Sequence, residues 1–182
     1  MSIILIRHPE TDWNVKGLFQ GRQEGRVTEA GAQAARDFVA ALNLPSVHHI
    51  YHAPNQRTRY LADLLKARYA EAEVSDDERL HERSYGVYEG QSTQEVATAH
   101  NFDPANVLAR FTWSPHHGES YQDVSDRTNE FIWELQAAHA PQEVVICISS
   151  AAAIRSIMHV QHGLSLADLF ELQIPNLHVV YV

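Results

Sequence analysis

The sequence predicts an α/β domain with a mainly parallel sheet sandwiched between helices. Two observations carry the prediction. Short apolar runs rich in β-branched residues recur at residues 2–6, 47–51, 144–149 and 177–182. Between them lie stretches whose apolar residues repeat at helical spacing, so strands and helices alternate along the chain. No linker, internal repeat or low-complexity stretch interrupts the pattern, and residues 1–182 read as one domain.

The elements follow in order. Ser2-Ile3-Ile4-Leu5-Ile6 is apolar at every position after the first, the mark of a strand buried on both faces. Glu29 to Leu42 reads as a helix with Thr28 as N-cap and Ala35, Val39 and Leu42 on one face. Asn43-Leu44-Pro45-Ser46 stops it, and Val47 to Tyr51 is the second strand. Pro54 is expected in the first turn of a helix reaching Tyr69, with Leu61, Leu64, Leu65 and Arg68 near its inner side. A short strand is expected around Val74, and the acidic run Asp76-Asp77-Glu78 as a solvated loop. Gln91 to His100 reads as helix, Asn101 to His117 as irregular or partly helical. Ser120 to Asp123 resembles a capping box opening a long helix, in which Tyr121, Val124, Thr128, Phe131 and Leu135 share a face. Val144 to Ser149 is a buried strand, Ala151 to Val160 a helix, and Leu177 to Val182 a last strand that could pair with a second copy in a homodimer.

Composition narrows the function classes. Hydrophobic residues are 45% and charged residues 20% of the 182, ordinary for a globular chain. The formal net charge of −9 repels polyanions, which argues against nucleic acid or an anionic membrane as partner. The apolar start is too short for a membrane span or a signal peptide. The single cysteine, Cys147, allows no internal disulfide. These features point to the cytoplasm. Cys147 lies within a strand and reads as an inert core thiol. His159 and His162 have i, i+3 spacing but no third ligand near them, so no metal site is expected. His48 and His49 are expected to point one inward and one outward.

In parallel sheets, ligands bind beyond the carboxyl ends of the strands. Arg7 and His8 follow the first strand, His52 to Arg57 the second, and Ser149 and Ser150 the 144–149 strand. Ser149-Ser150 lacks the flanking glycines of a hydrolase elbow. A local arginine cluster can hold a small phosphorylated ligand even in an acidic protein.

Ordered residue strings sharpen this picture. Arg7-His8-Pro9-Glu10-Thr11-Asp12-Trp13-Asn14 resembles the Arg-His-Gly-Glu-Thr-x-x-Asn signature of the histidine phosphatase (phosphoglycerate-mutase-like) superfamily. Gly21 to Gly31 is similar to its Gly-Arg-x-Asp-x-Pro-Leu-Thr-x-x-Gly block, and Ala53-Pro54 with Arg57 to Ser-Pro-x-x-Arg. Leu80-His81-Glu82 with Gly86-Val87-Tyr88-Glu89-Gly90 resembles Leu-x-Glu-x-x-x-Gly-x-Trp-Glu-Gly, and Gly118-Glu119-Ser120 a Gly-Glu-Ser before a late helix. Six such strings in order span residues 7 to 155, and the length resembles the compact phosphatase branch.

The resemblance implies a phosphoglycerate-mutase-like fold and metal-independent, cofactor-free hydrolysis of a small phosphate monoester. His8 is then the nucleophile, Arg7 and Arg57 the clamp on the phosphoryl oxygens, and Glu82 the proton donor, which must keep its proton beside the leaving oxygen. Asn14 and Gln20 fall where the family lines its pocket. Arg26, where the family has proline, would add positive charge at the mouth, and His117, next to His116, is a further substrate contact. The roles are physically sensible. Phosphoryl transfer needs positioning and charge stabilisation, and guanidinium forks supply both.

One departure bears on catalysis. The family's last block reads Ser-His-Gly-Gly-x-Ile-Arg, and here it is Ser149-Ser150-Ala151-Ala152-Ala153-Ile154-Arg155. Ser150 stands where the second active-site histidine belongs. Three accounts fit: an engineered His→Ser change made to trap a ligand; a natural enzyme with weak activity or with His116 or His117 filling in; or a phosphate-binding module that is non-catalytic or has moved to another chemistry.

Overall fold

The computed structural model describes residues 1–100 and 106–182. Its five-stranded sheet has the order β3-β2-β4-β1-β5, formed by β1 (Ser2–Arg7), β2 (His49–His52), β3 (Glu73–Asp76), β4 (Val144–Ser149) and β5 (Val179–Tyr181). All neighbours are parallel except β5, which joins β1 antiparallel at the edge.

The two central strands show why the sheet needs helices on both faces. In β1, Ile3 and Leu5 join one core while Ile4 and Ile6 join another. In β4, Val145 and Cys147 go with the first, and Ile146 and Ile148 with the second. Side chains alternate across a strand, so a strand apolar at every position must be covered twice. The first core is closed by α6 (Tyr121–Ala138) and α7 (Ala151–His162) through Phe131, Ile132, Leu135, Ile154 and Ile157. The second is closed by α2 (Glu29–Ala41) and α3 (Gln56–Arg68) through Ala35, Val39, Leu61 and Leu65.

Helix starts follow local hydrogen bonding. Thr28 accepts from the Gly31 amide at 2.9 Å, and Ser120 and Asp123 form the expected reciprocal capping box. Helix α3 corrects the expectation for Pro54. Asn55 is the N-cap, its side chain accepting from the Thr58 amide at 3.1 Å, and Pro54 lies before it. The amide side chain can satisfy an orphan N–H of the first turn, which proline cannot. Arg68 is exposed rather than inward, at the helix end where a cation meets unpaired carbonyls.

The acidic run is more ordered than a solvated loop. Asp76 ends β3, and Asp77 caps a 3₁₀ turn over Glu78–Leu80 while its two oxygens accept from Arg79 Nε at 3.0 Å and Nη2 at 2.8 Å. Helices α4 (Thr93–His100) and α5 (Val107–Thr112) precede α6, and α1 (Asp12–Lys16), which is not among the elements expected from sequence, sits inside the first motif. A further one, α8 (Leu166–Glu171), follows α7. Part of the stretch expected to be irregular, residues 101–105, lies outside the described residues. Cys147 is fully buried, and burial pushes its thiol up. Among the described residues no helix is long and apolar enough to cross a membrane.

Candidate active site

Register brings the first and last motifs together. Arg7 lies opposite Ser149 in the β1–β4 ladder, and the His8 amide donates to the Ser149 carbonyl at 3.0 Å. His8 therefore leaves β1 beside Ser150, where α7 begins. A cavity of about 400 Å³ opens at this end of the sheet, with Arg7, His8, Asn14, Gln20 and Glu82 in its wall.

His8 is 2% exposed, and its Nδ1 lies 2.7 Å from the Pro9 carbonyl oxygen. A carbonyl only accepts, so Nδ1 carries the proton and Nε2 keeps its lone pair. Burial, and then the charges of Arg57 and Arg7, hold the imidazole well below its ordinary pKa of 6.5. The ring is neutral at pH 7, the state a nucleophile requires.

The two guanidiniums are anchored in part. Arg7 donates from Nη1 to the Ile174 carbonyl at 2.5 Å. Arg57, fully enclosed, donates from Nη1 and Nη2 to the carbonyls of Gln23 and Gly21, each at 2.8 Å. Gly21 turns there with φ +53°, and a Cβ would sit 2.0 Å from Glu89 Oε1, so glycine is required. Among the described residues neither guanidinium's buried Nε–H has a partner, nor does the buried Ser150 hydroxyl. A buried donor without a partner costs about 1–3 kcal/mol. Arg7 lines the cavity beside His8, whereas Arg57 and Ser150 are not among its lining residues; the charge of Arg57, like that of Arg7, still reaches the His8 ring. Glu82 interacts electrostatically with both arginines, and Arg7 with Arg57, so the three side chains share one neighbourhood.

Glu82 Oε1 accepts from the Arg83 amide at 2.8 Å and the Ala152 amide at 3.0 Å, fixing the carboxyl to the first turn of α7. Ser150 is the N-cap of that helix by backbone position, with its side chain making no capping bond. Asn14 Oδ1 accepts from the Thr11 amide at 3.1 Å, and the Gln20 amide group donates to the Thr11 hydroxyl.

The structure does not bring Arg26 or His117 to this cavity. Arg26 is exposed, its amide donating to Asp12 Oδ1 at 2.9 Å. His117 is exposed in a turn, with φ 60° and its ring 3.8 Å from that of His116. Three wall residues were not assigned a role from sequence. Asn176 donates from Nδ2 to the His8 carbonyl at 2.9 Å, across 168 positions of chain, and no local signal announces it. Arg155 was visible as the last residue of the final motif. Tyr85 has its phenol pushed well above its ordinary range by burial and then by Glu82.

Phosphoserine phosphatase 1 of Hydrogenobacter thermophilus is 28% identical over 181 residues, covering 97% of this chain and 83% of that protein. The solved structure of Bacillus stearothermophilus YhfR superposes with a TM-score of 0.84 at 25% identity, over 99% of this chain and 89% of that one. A mycobacterial glucosyl-3-phosphoglycerate phosphatase solved with VO3 has the same fold, with a TM-score of 0.87 at 24% identity, over 99% and 91% of the two chains. The family model of the histidine phosphatase superfamily (branch 1) matches residues 3–182, and the chain belongs to that superfamily.

Proposed function

We propose that this chain is a metal-independent phosphatase acting on a small phosphate monoester through a phosphohistidine at His8. One observation carries the reading: two guanidiniums, each with a buried Nε–H unmet among the described residues, act electrostatically on a neutral imidazole whose protonated nitrogen is already engaged. Arg7 and Arg57 hold the phosphoryl oxygens, supplying the charge that stabilises its transfer. His8 Nε2 attacks phosphorus as the bond to the leaving oxygen breaks, and Glu82 passes a proton to that oxygen. The ring gains positive charge, which strengthens the Nδ1–H bond to Pro9. Water then attacks the phosphohistidine, Glu82 takes its proton, and the P–N bond breaks to restore neutral His8. Asn14 and Gln20 line the substrate side. The names of the relatives, a phosphoserine phosphatase and a glucosyl-3-phosphoglycerate phosphatase, support a phosphorylated small molecule as substrate.

Ser150 favours a second reading, a phosphate-binding module with little or no turnover. Its buried hydroxyl stands at the family's second histidine position and cannot become cationic. Loss of one donor aimed at developing charge costs about 10²–10³ in rate. Phosphate release from an aryl phosphate separates the readings. The phosphatase reading expects Ser150→His to be about 10²–10³ faster than the unaltered chain, and His8→Ala to remove turnover from both. Anion binding that persists in Ser150→His without any turnover supports the module. Turnover unaffected by His8→Ala overturns the phosphohistidine.

A further inference from the structure

We propose that a second cavity, adjoining the catalytic one, takes the leaving group and selects a flat aromatic alcohol carrying its own anionic substituent. The inference rests on the phosphatase reading and deepens it. The second cavity measures about 300 Å³ and shares Phe19, Tyr85 and Arg155 with the first. A monoester with its phosphoryl group at His8 therefore directs its organic part past these three residues.

The walls beyond them are aromatic. The rings of Phe19 and Tyr85 lie 4.2 Å apart, and Tyr121 meets Phe170 edge-on at 5.2 Å. Such faces favour an offset-stacked ring over a flexible polar chain. The volume is at the small end for ligand sites, suited to a single ring with a substituent.

Among the described wall residues the charge has one sign. Arg83, Arg110 and Arg155 line the cavity, and no carboxylate is among its described wall residues. Arg83 is occupied: Nε donates to the Glu119 carbonyl at 2.7 Å, Nη2 to the Trp113 carbonyl at 2.9 Å, and its carbon lies 4.8 Å from the Tyr121 ring centroid. Arg155 gives its Nε to the Leu172 carbonyl at 2.7 Å and lines the catalytic cavity as well, which puts it at the phosphoryl end rather than the distal end. Arg110 stacks on Phe170 at 4.0 Å, and its guanidinium makes no hydrogen bond or ion pair with the described residues. A stacked guanidinium keeps its in-plane donors for a carboxylate or a second phosphate. Arg110 is thus the residue that reads the distal anion.

Calorimetry with four non-hydrolysable probes tests this whether or not the chain turns over: inorganic phosphate, methylphosphonate, benzylphosphonate and (4-carboxybenzyl)phosphonate. Benzylphosphonate is expected to bind about tenfold tighter than methylphosphonate, and the carboxylate to add about fivefold more. Arg110→Gln should erase the carboxylate's gain and leave the benzyl gain intact, and Arg110→Lys should restore part of it. Equal affinity for methyl- and benzylphosphonate overturns the aromatic selection, and a carboxylate gain that survives Arg110→Gln overturns the role of Arg110. Phosphate binding with no benzyl gain defeats this inference alone. Absence of phosphate binding defeats the phosphate site beneath it as well.

Discussion

The two ends of the sheet treat their polar groups differently. At the amino ends of β2 and β4, His139 pairs through Nδ1 with Glu143 at 2.7 Å and through Nε2 with the Tyr51 hydroxyl at 3.0 Å. His49 Nε2 meets Ser75 at 2.7 Å, and His48 Nδ1 accepts the Val144 amide at 3.0 Å. Each imidazole has a protein partner. At the carboxyl ends, Arg7, Arg57 and Ser150 hold buried groups that have none among the described residues. The contrast separates polar groups that serve folding from groups held ready for something else. Where only the fold is served, partners come from the chain itself, and where an anion is to be received, the fold tolerates the cost of leaving donors unmet.

The largest expected effect is at the unmet end. If the open donors await a phosphate, inorganic phosphate at a hundred times its dissociation constant should stabilise the chain by about 2.7 kcal/mol. Arg57→Ala should abolish that gain, as read by thermal melts with and without phosphate. A phosphate-induced rise in Tm that survives Arg57→Ala would break the comparison, since Arg57 would then be structural like the histidines opposite.

The satisfied end should respond in the opposite way. His139→Ala removes two hydrogen bonds on a half-buried ring and should cost about 1 kcal/mol of stability. Phosphate affinity should not change, because this cluster sits at the other end of β2 and β4 from His8. A large drop in phosphate affinity would mean that the two ends are coupled, and the division drawn above would fail.

How much of this was legible in the sequence depends on whether the cause is local. β1 and β4 could be read because burial on two faces leaves no polar position. The capping residues Thr28 and Ser120 could be read because a side chain meets an amide three residues away. Helix α8 shows the limit of the method: Ser165 caps it through the Asp168 amide at 3.1 Å, but six residues are too few for a periodic signal. His48 and His49 are expected to alternate, yet both are half-buried, His48 lying just before β2 and His49 at its first position, at the end of the sheet. In the site, Arg7, His8 and Arg57 were legible as groups following strands, but the carbonyls of Gln23 and Gly21 that enclose Arg57 were not. Those contacts, like Asn176 on His8, are made by chain crossings with no counterpart in spacing.

The smallest effect near neutral pH concerns His8 itself, and its sign follows from burial. Native His8 has its pKa well below 6.5, while in the unfolded chain it returns to about that value. Above pH 6.5 neither state binds the proton, so His8 adds no pH dependence. As the pH falls below 6.5 the unfolded chain takes up a proton that the native ring refuses, and stability is lost at up to about 1.4 kcal/mol per pH unit until the native pKa is reached. His8→Asn removes the group, so the stability of the unaltered chain should fall below that of the variant progressively from pH 6.5 downward, measured by urea unfolding in phosphate-free buffer. Parallel curves would mean that His8 titrates alike in both states. The arginines would then not be pressing on it, and the unmet end of the sheet would lose the electrostatic field that sets it apart from the satisfied one.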